Sequence, residues 1–150
     1  MVKRPEHPIY ELELAVERIR AAAEVVRALP FTFTLTARAE NYLVGRPDLK
    51  DTIKRLQAYQ EAGADVLYAP GLTSKQDIVA VVSSVDRPVN VVMGLQGVQL
   101  SLTALSEIGV KRISVGSALS RAAREMKTHG TFTFADEAVS YRELSAMFET

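Results

Sequence analysis

Cysteine is absent from this 150-residue chain, which removes disulfides, thiolate metal sites and cysteine nucleophiles from the chemistry available to it. A surplus of charge is absent too. Eighteen Lys and Arg balance eighteen Asp and Glu, so nothing marks a surface for nucleic acid or an anionic membrane. No run approaches the roughly 20 apolar residues that cross a bilayer, and the basic start Met1-Val2-Lys3-Arg4 is not followed by the apolar segment of a signal peptide. The expectation is a cytoplasmic protein with neither nucleic acid nor membrane among its partners. Histidine is scarce: His7 and His129 lie near terminal or helix boundaries, without the acid array of a metal site. The glycines around Gly94 lack the lysine and hydroxyl of a phosphate loop. No serine elbow or internal carboxylate pair specifies a hydrolase.

What is present is a rhythm. With 47% hydrophobic residues, the chain is about one domain long and can bury a core. Four short apolar runs, at 31–37, 65–69, 89–93 and 112–115, are each followed by residues of helical periodicity. A leading helix places Leu12, Ala15, Val16, Ile19, Ala22, Ala23, Val26 and Leu29 on one face, stopped by Pro30. Asp48 is placed to cap the next helix, with Asp51 three residues on as a partial capping box. Gly63 is placed to end that helix. Thr73 or Ser74 caps a third helix, Leu102, Leu105 and Ile108 mark a fourth, and residues 117–127 and 133–148 read as two more. Short strands joined by helices and no hairpin turns mean a parallel sheet covered by helices. The fold class is α/β, a partial (β/α) barrel of about four parallel strands in a single domain, 1–150. Four units cannot close an eight-stranded barrel, and a half-barrel leaves two strand edges to be covered by another chain, an altered sheet or a helix.

Strand ends at the carboxyl side carry the chemistry of such folds. The first run delivers Arg38, then Glu40 and Asn41. Arg38 is placed to grip a carboxylate or phosphate through its planar fork, or else to form a rim salt bridge with Glu40. Glu40 is placed to hold that arginine, to reach a metal through water or to move a proton. Residues 42–47 form a loop that either covers a ligand or simply connects. Tyr68 reaches a pocket or packs between strand and helix. Gly94 permits close backbone approach and Gln96 offers neutral hydrogen bonds, while Gly116 and Ser117 present amides to an anion or simply open a helix. Asp65 and Asp77 read as edge or cap residues.

Three dispersed segments agree in order with one family. Thr36-Ala37-Arg38-Ala39-Glu40-Asn41, residues 51–65 ending in Gly63-Ala64-Asp65, and Gly109-Val110-Lys111-Arg112-Ile113-Ser114-Val115-Gly116 together resemble the isocitrate lyase and phosphoenolpyruvate mutase superfamily. The nearest branch is carboxyvinyl-carboxyphosphonate phosphorylmutase-like or oxaloacetate-decarboxylase-like. The likeness is to the C-terminal half only, the second half of a TIM barrel. It implies lyase or phosphonomutase chemistry on a small α-keto acid such as pyruvate, oxaloacetate or a phosphoenolpyruvate-like molecule, through an enolate stabilised by Mg2+. Arg38 and Glu40 are then the implied catalytic residues, and Arg38, Asn41, Gly94, Gln96, Gly116 and Ser117 the substrate-binding set. The metal ligands are not implied within this chain, because the strands that carry the family's magnesium aspartates are missing from it. Pro70 and Met93 stand near a glutamate and an asparagine of the family's lyases, which disfavours isocitrate cleavage. The resemblance also implies a homo-oligomer or a complementary chain, with residues 133–148 packing on a partner. The alternative is a noncatalytic structural or interaction protein.

Overall fold

A computed structural model describes residues 8–93 and 100–131. Gly94, Gln96 and the helix expected over 133–148 lie outside the described residues. The chain divides into two compact units, Met1–Ser114 and Val115–Thr150.

In the first unit the elements run α1 (Leu12–Arg27), β1 (Thr36–Arg38), α2 (Leu49–Glu61), β2 (Val66–Tyr68), α3 (Lys75–Ser83), β3 (Val89–Val92), α4 (Leu102–Glu107) and β4 (Arg112–Ser114). The strands form one parallel sheet in the order β1-β2-β3-β4, so every crossover is a helix returning the chain to the next strand. The expected four-stranded partial barrel is therefore the observed architecture. In the second unit, α5 (Ala118–His129) is the described helix.

Local sequence accounts for the helix starts. Asp48 Oδ1 accepts from the Asp51 amide at 2.9 Å, Ser74 caps α3 through the Asp77 amide, and Ser101 caps α4 through the Ala104 amide at 3.1 Å. Each satisfies a donor that the first helical turn leaves without a partner. The capping box is corrected in its second half: the Asp51 carboxylate turns to Asn41 and Arg55, because a buried guanidinium and amide compete for it better than an exposed backbone amide does.

Strand β1 is shorter than expected. Pairing begins only at Thr36, opposite Val66. Just before it, the Leu35 carbonyl accepts from the Asp65 and Val66 amides, and the Leu35 amide donates to Asp65 Oδ2 at 2.8 Å. Upstream of Leu35 the chain has passed the end of its neighbour, and Phe31 and Phe33 stand 60% and 52% exposed. The other three strands each stop a residue or two inside the expected runs for the same reason: ladder pairing, not apolar character, sets their ends.

The two faces of the sheet differ in chemistry. Ala37, Leu67, Val89 and Val91 join Leu56, Tyr59, Ile78, Val81 and Leu105 in the core beneath the helices. Successive strand residues alternate faces, so Arg38, Tyr68, Asn90 and Arg112 share the opposite one, aligned in a single row by the strand register.

Gly63 ends α2 at φ +106°, where an added Cβ would lie 2.6 Å from Arg27 Nη2 and 2.9 Å from Ala23 Cβ. Arg27 can swing away, but Ala23 is 1% exposed and fixed between α1 and α2. Gly63→Ala is expected to cost about 2 kcal/mol in urea denaturation, from the left-handed conformation and the contact with α1 together. A loss below half that figure would mean that α1 packs less tightly than the distances indicate.

Candidate functional site

The site is built from the last residues of β1 and the turn that follows. Arg38 ends the strand, and its Nε forms an ion pair with Glu40 Oε1 at 2.8 Å. The Arg38 side chain is 47% exposed, and among the described residues its terminal nitrogens carry no hydrogen bond. Its guanidinium carbon sits 5.2 Å from the centre of the Tyr68 ring on the neighbouring strand, within the range of a cation–π contact. Tyr68 is half-buried. Its phenol is pushed above the ordinary value by burial and by the Glu40 charge, against the opposing pull of Arg38 and Arg112. The phenol is thus a neutral hydrogen-bonding group near two cations.

Glu40 Oε2 and Asn41 Oδ1 are buried without a hydrogen-bond partner among the described residues. Asn41, 1% exposed, donates from Nδ2 to Asp51 Oδ2 at 2.7 Å. Arg55 Nε donates to the same oxygen at 2.7 Å, and Arg55 Nη1 to the Tyr10 carbonyl at 2.8 Å. Burial would raise the Asp51 pKa, but the hydrogen bonds from Arg55 and Asn41 outweigh it and hold the carboxyl below its ordinary value. This network ties α1, α2 and the turn after β1 together from behind. The turn closes on itself through Arg46 N donating to the Asn41 carbonyl at 2.9 Å.

Arg38, Glu40 and Asn41 are therefore brought together as the sequence suggests, with Tyr68 beneath Arg38. Asn41 faces the supporting network with its amide nitrogen. Gly116 and Ser117 belong to the second unit, where the Ser117 carbonyl accepts from the Arg121 amide at 2.9 Å and opens α5. Sequence reasoning passed over Asn90 and Arg112. Arg112 Nη1 donates to Asn90 Oδ1 at 2.7 Å, and Asn90 Nδ2 donates to Ser114 Oγ at 3.1 Å. The signal was a polar residue at alternate positions of otherwise apolar strands, in register with Arg38.

The described residues contain no group of three or more His, Cys, Asp or Glu placed to hold a metal ion. Glu40 Oε2 alone is an unpartnered acid oxygen at the site, too little for an ion that takes an octahedral set of oxygens.

The sequence model of phosphoenolpyruvate phosphomutase matches residues 2–131. The chain belongs to that family. Among solved structures, a Burkholderia cenocepacia protein provisionally described as a lyase/mutase is 57% identical, with a TM-score of 0.76 over 98% of this chain and 56% of its own. A phosphonopyruvate hydrolase solved with oxalate and magnesium shares the phosphomutase fold at 22% identity and TM-score 0.63, over 96% of this chain and 54% of its own. A shorter stretch is 37% identical over 73 residues to a phosphoribosyl imidazole-carboxamide isomerase of Shewanella piezotolerans, covering 43% of this chain and 29% of that one. This phosphomutase-family chain spans little more than half the length of the two structures. The likeness expected to be to a C-terminal half only is corrected. The match takes in nearly the whole chain, because the leading helix and the elements between the three quoted segments follow the family pattern as well.

Proposed function

We propose that this chain carries the anion-gripping part of a site for a small α-keto acid, and that it serves lyase or phosphonomutase chemistry through an enolate. The observation that carries this reading is Arg38: it ends a strand of a phosphomutase-family sheet with Nε engaged by Glu40 and its terminal nitrogens open. A planar guanidinium oriented from behind in this way binds a carboxylate through two parallel hydrogen bonds. It also stabilises negative charge that spreads from an enolate onto that carboxylate. Glu40 orients the arginine and is the acid nearest to the bound group. Asn41, Gly94, Gln96, Gly116 and Ser117 remain the other candidate substrate contacts, on sequence grounds.

Magnesium would supply Lewis-acid stabilisation of the enolate oxygen. The described residues do not fit it by themselves, and an oligomer or a complementary chain is the proposed source of further ligands. The test is calorimetric titration with oxalate, which mimics a planar enolate carboxylate. Saturable binding is expected, weakened at least about tenfold by Arg38→Ala, the loss of one charge-assisted bidentate contact, with the far-ultraviolet circular dichroism unchanged. Equal binding by the variant removes Arg38 from the site.

The second reading, a noncatalytic structural or interaction protein, rests on the described residues holding no acid cluster. It requires that magnesium leave the oxalate affinity of an assembled complex unchanged, whereas a complete site couples the two ligands.

A further inference from the structure

Arg112 is a second arginine on the face that carries Arg38, and nothing in the proposed keto-acid chemistry uses it. The register runs Arg38 to Tyr68, Tyr68 to Asn90 and Asn90 to Arg112. Three strand steps separate the two arginine backbones by about 14 Å, which two long side chains leaning inward from opposite ends reduce to the length of a small molecule. Arg38 already leans inward, onto the Tyr68 ring.

Arg112 is held in a different way from Arg38. No carboxylate among the described residues pairs with it. Its exposed side chain is fixed by Asn90 Oδ1 at 2.7 Å. Asn90 is 2% exposed and cannot reorient, because its own amide nitrogen is engaged by Ser114 Oγ. Burying an asparagine between two valines of a central strand carries a desolvation cost unless both ends of its amide are satisfied, and here they are satisfied by Arg112 and Ser114. The result is a positioned guanidinium whose charge is balanced by no acid among the described residues, separated by Asn90 and Tyr68 from another guanidinium whose charge is only half engaged. Among the described residues one carboxylate, Glu40, pairs with either cation, and its partner is Arg38.

We infer that Arg112, clamped by Asn90 and Ser114, is a specificity-determining residue that takes the distal anionic group of a ligand whose proximal carboxylate lies on Arg38. The ligand class is a small, extended dianion with its charges several bonds apart. This rests on Arg38 being the carboxylate anchor, as proposed above. Tyr68, neutral between the two arginines, then faces the middle of the ligand and offers one hydroxyl to a carbonyl or hydroxyl there.

The experiment compares oxalate, too short to span the row, with succinate, long enough to do so, by calorimetry on the full chain. Wild type should bind both. Arg112→Gln should weaken succinate at least tenfold and oxalate less than twofold, and Arg112→Lys, which keeps the charge but not the planar fork, should fall between. Thermal melting of each variant within a few degrees of wild type establishes that the sheet persists. Unchanged succinate affinity in Arg112→Gln, or equal losses of oxalate and succinate, overturns the assignment while leaving Arg38 as anchor. Failure of wild type to bind oxalate at all overturns the anchor, and the role of Arg112 with it.

Discussion

Arg55→Ala is expected to destabilise the chain by about 3 to 5 kcal/mol, the cost of removing one partner from a buried ion pair. Arg55 is 8% exposed and joins two segments far apart in sequence, donating to Asp51 on its own helix and to the Tyr10 carbonyl ahead of α1. Without it, the Tyr10 carbonyl loses the Arg55 hydrogen bond and the Asp51 carboxylate keeps the Asn41 amide among the described residues. Asp51→Asn should cost less, since the Asp51 side chain is a third exposed, and the double variant should lose less than the two single losses combined. The same pair sets an acid limb. The folded Asp51 pKa lies below its ordinary value of 3.8, so the pair stabilises fully above the unfolded value, and that contribution disappears as pH falls through the folded one. Arg55→Ala should therefore flatten the fall in stability at low pH as well as lower the plateau. Urea denaturation across pH checks both, and a plateau loss under 1 kcal/mol would mean that the network is decorative.

The helices were legible because 3.6-residue periodicity and caps are local. Each residue assigned to the apolar face of α1 is buried or half-buried, and the caps at Asp48, Ser74 and Ser101 follow from chemistry within three residues. Strand ends were less legible, because they depend on where a neighbour lies 22 to 30 residues away in the chain. Phe31-Thr32-Phe33 alternates as a good strand does, yet has nothing to pair with among the described residues. Asp51 illustrates the same limit in a side chain: its spacing from Asp48 suggests a local cap, while its partner Arg55 is oriented by a carbonyl 45 residues away. At the site, Arg38 and Glu40 could be picked out because charge following an apolar run is conspicuous. Asn90 and Arg112 are equally polar, but they gain meaning only when four strands are aligned and their alternate positions fall in one row. That alignment is a property of the sheet, written in no single segment.

The alternation predicts opposite outcomes for two adjacent residues of β2. Leu67 is fully buried in the core beneath the helices, and Leu67→Ala should cost about 3 to 4 kcal/mol through lost transfer energy and the cavity left between the sheet and its helices. Tyr68, one residue on, points to the other face, is half-buried and lies under Arg38. Tyr68→Ala should cost about 1 kcal/mol of stability, the typical loss at a half-exposed site. Its larger effect should be on oxalate, weakened about two- to twelvefold by loss of a cation–π contact of roughly 0.5 to 1.5 kcal/mol that holds the arginine in place. Leu67→Ala, measured at a temperature where it remains folded, should bind oxalate as wild type does, because the Arg38 backbone is paired with the Tyr68 backbone, not with the Leu67 side chain. Thermal melting and calorimetry on the two variants read these effects separately. If both changes lowered stability alike and neither touched binding, the sheet would have two structural faces and the row from Arg38 to Arg112 would not be a site.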